Sequence, residues 1–417
     1  MKQLKIEGGR KLTGEIKISG AKNSAVALIP ASLLATGKVT IDNVPNISDI
    51  DALDEILTFL GAKVERKEST IVIDTKGINN KPIPEKISKK LRASYYFMAA
   101  LLAKYKKVTM FFPGGCNIGS RPIDQTLKAF RLLGANVVEE NNKYTITSKE
   151  LVGNKIHLDM PSVGATINAM LVATLATGKT IIYNAAKEPE IVSVATFLNQ
   201  MGAKILGAGT KKIEITGVKE LTSCFTEVIP DRIEAGTYLI AGALVGEDLT
   251  ISNVIPEHIE SLTTKMKEMG VKLDIGEDRI TVSASKKMKA VKITTLGYPG
   301  FPTDLQQPIT TLLTQATGMS VLEETIYENR FNNVKYLNKM GAKIVIEGRK
   351  IFINGPTKLK GKIIEATDLR AGACLILAAL ISQGTTTVTS VEHVLRGYEN
   401  IVYKLNNVGA KIELEEI

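Results

Sequence analysis

Tryptophan is absent, aromatic residues make up only 5% of the chain, and its 417 residues hold just three cysteines and three histidines. Each scarcity excludes something. With so few aromatics, and none interleaved among basic residues, there is no stacking platform for single-stranded nucleic acid. Cys116, Cys224 and Cys374 are odd in number and lack Cys-x-x-Cys spacing, so neither a disulfide framework nor a zinc site is indicated, and a reducing compartment suits them. His157, His258 and His393 form no metal or Ser-His-Asp spacing. A Walker motif and a dinucleotide fingerprint are missing too, so no metal and no organic cofactor is expected. The longest apolar runs, such as residues 25–35, are too short to cross a bilayer. The opening Met1-Lys2-Gln3-Leu4-Lys5 has no apolar leader segment. The expectation is a cytoplasmic protein that binds neither membrane nor nucleic acid and needs no obligate protein partner.

What is present is a net charge of +10, with 44% hydrophobic and 23% charged residues. Such a charge fits nucleic acid, a membrane surface or small anionic substrates, and composition alone does not choose. The basic clusters Lys86, Lys89, Lys90 and Lys286, Lys287, Lys289 lie in polar segments and read as solvated surface. The length exceeds that of a single core, so two domains are expected.

A short phrase recurs six times, a glycine closing an amphipathic segment before a strand-like run: Gly61, Gly134, Gly202, Gly270, Gly341 and Gly409. The intervals are 73, 68, 68, 71 and 68 residues, which is the signature of one copied supersecondary unit. In the first unit, residues 24–36 read as a helix apolar on nearly every side, and 38–41 as a strand. Residues 47–59 then read as an amphipathic helix, and 62–65 with 70–73 as a hairpin. Further buried helices are expected at 94–103, 165–177, 235–245, 305–317 and 371–382. Helices apolar all round need sheets packed about them, so the predicted fold is α/β with helices inside and sheets outside, three units per domain. The sixth unit lacks a strand, while residues 6–18 resemble the linking segment 353–364. The first 20 residues are therefore expected to complete it. This gives domains of 21–229, and of 230–417 with 1–20.

Before each buried helix stands a polar signature. Its lead residues Lys22, Arg92, Ser162, Asp231, Asp304 and Asp368 lie 39, 42, 40, 39, 37 and 41 residues upstream of the landmark glycines. For Asp231, Arg232 and Asp368, helix capping or ion pairing explains the residue as well as substrate contact does. Lys22 and Arg92 are different. A cation at a helix N-terminus opposes the macrodipole, and an anion held by the cation and the helix amides together accounts for it. The second unit alone has a loop Pro113-Gly114-Gly115-Cys116-Asn117-Ile118-Gly119-Ser120-Arg121-Pro122. Glycines and a nearby cation make Cys116 a candidate reactive thiol, and Arg121 beside Pro122 suggests another anion contact. Cys224 and Cys374 read as inert.

These motifs, with Ala21-Lys22-Asn23-Ser24, Pro230-Asp231-Arg232-Ile233-Glu234, Phe301-Pro302-Thr303-Asp304, Glu328-Asn329-Arg330-Phe331, Ala366-Thr367-Asp368-Leu369-Arg370 and Arg396-Gly397-Tyr398-Glu399, resemble the enolpyruvyl transferase family, in its branch acting on UDP-N-acetylglucosamine. The resemblance runs end to end. It implies a two-domain inside-out α/β barrel and transfer of enolpyruvyl from phosphoenolpyruvate to the sugar 3-hydroxyl, the first committed step of cell-wall peptidoglycan. It also implies that Cys116 is the acid for C3 of the enol, able to bond the pyruvyl carbon, and that Asp304 is the base or holds the hydroxyl. Lys22, Asn23, Arg121, Arg330 and Arg396 would attend phosphoenolpyruvate. Arg92, Arg121, Pro122, Ile123, Asp124, Gln125, Ser162, Val163, Gly164, Asp304 and Ile326 would line the nucleotide-sugar site. Asp231, Asp368 and Arg370 would lie near the adduct or the domain junction.

Two positions depart from the family pattern: Met160 where a basic residue is usual, and Leu395 where an acid precedes the arginine. Three alternatives fit less well. The sister enzyme acting on shikimate 3-phosphate lacks the cysteine loop, an RNA 3'-phosphate cyclase needs a nucleotidyl-accepting histidine, and a non-catalytic binder predicts loss of Cys116 or Asp304.

Overall fold

The computed structural model describes residues 2–114, 122–285 and 287–416. Cys116 and Arg121, both singled out above, lie outside the described residues. The chain divides into two compact units, one of residues 20–114 and 122–229, the other of 2–19 and 230–416.

The six landmark glycines share one backbone state, with φ of 97, 95, 109, 90, 113 and 109°. L side chains resist that region, and glycine enters it freely. In every case the next residue's N–H donates back to a carbonyl five residues earlier, from Ala62 to Leu57 through to Ala410 to Leu405, so each helix closes with the same left-handed cap. Three units add a side-chain clamp. Asn199, Asn338 and Asn406 each donate to, and accept from, the backbone of the residue six positions on: Ile205, Ile344 and Ile412.

In the unit of residues 20–229, Lys38–Asp42 lies between Phe225–Glu227, parallel to it, and Thr70–Asp74, antiparallel, with Lys63–Lys67 outermost. Lys155–His157, Lys179–Tyr183, Lys212–Thr216 and Lys204–Leu206 repeat that order, and Lys107–Phe111, Lys143–Thr147 and Asn136–Glu140 form a three-stranded version. The helices Lys22–Ala31, Tyr95–Tyr105 and Val163–Thr174 are buried on almost every side, and the middle one packs on both others. The first of these is shorter than residues 24–36. It stops at Ala31, a 3-10 turn follows at Ser32–Leu34, and Ala35–Thr36 is extended, because its backbone pairs with Leu221–Thr222.

The other unit has three four-stranded sheets of the same order and three mutually packed buried helices, Arg232–Val245, Gln306–Leu313 and Leu369–Ile381. Lys2–Glu7 lies between Thr385–Thr389 and Lys411–Glu416, supplying the strand that the chain's last segment lacks. Leu12–Lys17 does not join it there. That strand runs parallel to Gly246–Ser252, as the lead strand of the fourth unit's sheet. The first 20 residues thus serve two sheets, a correction to the reading that they complete one. Among the described residues every sheet is open and none closes into a barrel. No helix there is long and apolar enough to cross a membrane.

Candidate active site

Three of the lead residues are helix caps. Ser162 Oγ accepts from the Ala165 N–H at 3.3 Å. Asp231 accepts from Ile233 and Glu234 at 2.8 and 3.0 Å, and Asp368 from Arg370 and Ala371 at 2.9 Å each. Capping satisfies helix N–H groups that have no intrahelical acceptor. It also leaves the residues beside each cap at the helix mouth.

In the unit containing residues 230–416, that placement builds a charged cluster. Asp304, in the 3-10 turn Thr303–Leu305 leading into Gln306–Leu313, accepts at Oδ1 from Arg330 Nη2 at 2.7 Å and at Oδ2 from Arg370 Nη2 at 3.0 Å. Its side chain keeps 26% exposure while the two arginines keep 4% and 5%. Burial pushes the Asp304 carboxyl up, but the charges of Arg370 and Arg330 outweigh it and hold it well below the usual carboxylate range. Arg370 in turn donates to the Tyr398 hydroxyl at 3.1 Å and lies over its ring, and that hydroxyl meets Thr237 Oγ1 at 2.9 Å. Tyr398 stands two residues after Arg396, so the segment carrying Arg396 is fastened to the helix that carries Arg370. Ile326 is exposed beside this cluster's sequence neighbours, two residues beyond the fully buried Glu324.

In the unit of residues 20–229, Lys22 opens the first buried helix and its Nζ lies 2.7 Å from Asp49, which is almost fully buried in the first turn of Ser48–Leu60. Asn23 follows on the same helix. Arg92 reaches the Pro113 carbonyl at 3.5 Å and lies over the rings of Phe112 and Tyr95, with centroids 5.1 and 5.8 Å away. Pro122 and Ile123 lead into the helix Asp124–Leu132. Gln125 and Asp159 exchange two hydrogen bonds, at 2.8 and 2.9 Å, and Lys128 reaches the same carboxylate at 2.6 Å. The helix Asp124–Leu132 is therefore tied to Asp159, three residues before Ser162. Met160 is exposed between them.

Val163 and Gly164 begin the third buried helix, and a side chain at Gly164 has no room. An added Cβ would stand 1.6 Å from the Tyr95 hydroxyl oxygen. Sequence reading gives no role to Tyr95, Asp49, Thr303, Glu324 and Tyr398, whose roles come from contacts distant in sequence. Only the recurrence of polar residues beside the lead positions hinted at Thr303. Among the described residues no group of three or more His, Cys, Asp or Glu is placed to hold a metal ion.

The family model described as EPSP synthase (3-phosphoshikimate 1-carboxyvinyltransferase) matches residues 6–405. The protein named UDP-N-acetylglucosamine 1-carboxyvinyltransferase 2 in Bacillus cereus is 53% identical over 418 aligned positions, covering 100% of this chain and 97% of its own. Its namesake in Bacillus subtilis is 51% identical with the same coverage. Among solved structures, the enolpyruvyl transferase NikO from Streptomyces tendae superposes with a TM-score of 0.90 at 27% identity, covering 99% of both chains. An EPSP synthase from Acinetobacter baumannii matches over 100% of both chains with a TM-score of 0.77 at 20% identity, a likeness of fold alone.

Proposed function

Because the chain belongs to the EPSP synthase (3-phosphoshikimate 1-carboxyvinyltransferase) family of enolpyruvyl transferases, we propose that it is the member that acts on a nucleotide sugar. It transfers the enolpyruvyl group of phosphoenolpyruvate to the 3-hydroxyl of UDP-N-acetylglucosamine and releases phosphate, the committing step of peptidoglycan synthesis. The observation that carries this reading is identity above one half, along the whole chain, with proteins named for that reaction.

The chemistry is addition followed by elimination. The sugar oxygen bonds to C2 of the enol and gives up its hydroxyl proton, which leaves with the phosphate, as C3 takes a proton. The C2–O bond to phosphate then breaks, and C3 gives up a proton to restore the double bond. Cys116 is assigned the proton delivery to C3. Lys22, Asn23, Arg121, Arg330 and Arg396 neutralise the phosphate and carboxylate, a duty suited to preorganised cations. Arg92, residues 121–125, Ser162 to Gly164 and Ile326 hold the nucleotide sugar. Asp231, Asp368 and Arg370 lie near the adduct.

For Asp304 the two family roles part company. A carboxylate held far below the usual range by two guanidiniums is ionised throughout and is a weak base. Its depressed pKa supports the role of accepting a hydrogen bond from the sugar hydroxyl and aligning it on C2, ahead of removing the proton.

For the architecture, the buried helices and open sheets support an inside-out arrangement of six copied units. We assign residues 21–229 and 1–20 with 230–417 as the two working domains, in a cytoplasmic enzyme that requires only its small-molecule substrates. The test uses purified protein with both substrates. Phosphate release that stops on alkylation by fosfomycin, and that persists in Cys116→Asp while resisting fosfomycin, supports the reading. Full activity in Cys116→Ser near neutral pH contradicts the acid role.

A further inference from the structure

Glu324 is fully buried, no part of the proposed chemistry uses it, and four donors converge on it. Its Oε1 accepts from Thr295 Oγ1 at 3.0 Å, from the Ile326 N–H at 2.8 Å and from the Tyr327 N–H at 3.1 Å. Its Oε2 accepts from Thr303 Oγ1 at 2.8 Å. That same threonine oxygen accepts from Arg330 Nη1 at 2.7 Å, and Arg330 Nη2 holds Asp304.

We propose that Glu324 is a positioning residue for the transfer reaction, acting through the Thr303 hydroxyl on the Arg330–Asp304 pair and through two backbone N–H groups on Ile326. One carboxylate thus sets two things at once. Its Oε2 arm fixes the side from which Arg330 meets Asp304, and with it the direction in which that carboxylate meets the sugar hydroxyl. Its Oε1 arm fixes the turn that presents Ile326 to the nucleotide sugar.

The chemistry of the residues favours this over simple fold support. A hydroxyl donates to a carboxylate and accepts from a guanidinium through a single atom, so threonine at 303 is matched to the relay. Arg330 is 3% exposed, and its planar fork fixes the angle at which its two nitrogens meet Thr303 and Asp304. A small misplacement of an aligning group costs rate steeply.

The inference rests on the reaction proposed above, and its test separates the two. The full chain is assayed for phosphate release from phosphoenolpyruvate and UDP-N-acetylglucosamine as wild type, Thr303→Val, Thr303→Ser and Glu324→Gln, with thermal melts of each. Thr303→Val keeps the side chain's shape and removes the relay, so kcat should fall about tenfold or more, and KM for phosphoenolpyruvate should rise because Arg330, assigned to that substrate, loses its support. Thr303→Ser should restore kcat to within about twofold. Glu324→Gln should also raise KM for the nucleotide sugar, because it disturbs the Ile326 turn. In a cycle with Asp304→Ala, the valine substitution should cost nothing further. Unchanged kcat in Thr303→Val, or an equal loss with and without Asp304, overturns the proposal. A wild type that releases no phosphate counts against the reaction instead, and a crystal structure of Thr303→Val then decides the relay. Arg330 must have left its 2.7 Å contact with Asp304, and its retention overturns the proposal.

Discussion

Arg370 Nη2 lies 3.0 Å from Asp304 Oδ2, joining the mouths of two equivalent buried helices across 66 positions of sequence. With Arg330 on the other oxygen, the carboxyl is held well below its ordinary value of about 3.9. The sign follows from linkage. A depressed folded pKa gives stability that is full above the unfolded value and is lost only as pH falls through the folded one. Asp304→Asn strands two buried guanidiniums and should cost about 3 kcal/mol near neutrality. Urea unfolding should show that gap unchanged between about pH 7 and pH 5 and narrowing in stronger acid.

Glu234 behaves in the opposite way. It is buried against Lys404 Nζ at 2.7 Å and the Ser19 N–H at 2.9 Å. Burial raises its pKa to about 7, outweighing the attraction of Lys404. The folded state then binds a proton that the unfolded chain has released, so this site loses stability as pH rises from the unfolded carboxyl value towards neutrality. Wild type should lose about 1–3 kcal/mol more than Glu234→Gln between pH 5 and pH 8, measured by urea unfolding. Parallel curves for the two proteins would contradict the raised pKa.

Gly164→Ala should both destabilise the protein and weaken the nucleotide-sugar site. Its Cβ would fall 1.6 Å from the Tyr95 hydroxyl oxygen and 2.7 Å from the ring carbon bearing it. Overpacking of this kind costs about 1–3 kcal/mol. Tyr95→Phe in the same chain removes the nearer atom and should recover part of the melting temperature. KM for UDP-N-acetylglucosamine should rise in Gly164→Ala more than KM for phosphoenolpyruvate.

Asn338→Ala should cost about 1–3 kcal/mol in urea unfolding, because it strands both polar groups of the Ile344 backbone. Lys267 occupies the same distance before its own landmark glycine, and Lys267→Ala should change stability by less than about 0.5 kcal/mol. Equal costs at the two positions would mean that the clamp contributes nothing.

Much of the fold was legible because local rules repeat. Gly61 and its five counterparts announce left-handed caps, and Ser162, Asp231 and Asp368 announce helix starts, since both signals are written within a few residues of one another. Buried helices were visible as apolar runs, although the ends of the first, third and fifth, at Ala31, Thr174 and Leu313, were not. Ala35 and Thr36 are extended because they pair with residues 221 and 222, which no local pattern foretells. For the same reason the likeness of residues 6–18 to a linking segment does not say which sheet Leu12–Lys17 joins, since its partner strand lies in the fourth unit. The candidate site divides along that line too. Lead residues stood out by their constant address, while Glu324, Tyr95 and Tyr398 matter through contacts with groups distant in sequence. No spacing along the chain betrays them.

The acceptor carries the central claim. The most direct measurement is phosphate release from phosphoenolpyruvate by the purified full-length protein, run separately with UDP-N-acetylglucosamine and with shikimate 3-phosphate. The account predicts turnover with the nucleotide sugar and none above background with shikimate 3-phosphate. Release with shikimate 3-phosphate alone would contradict it.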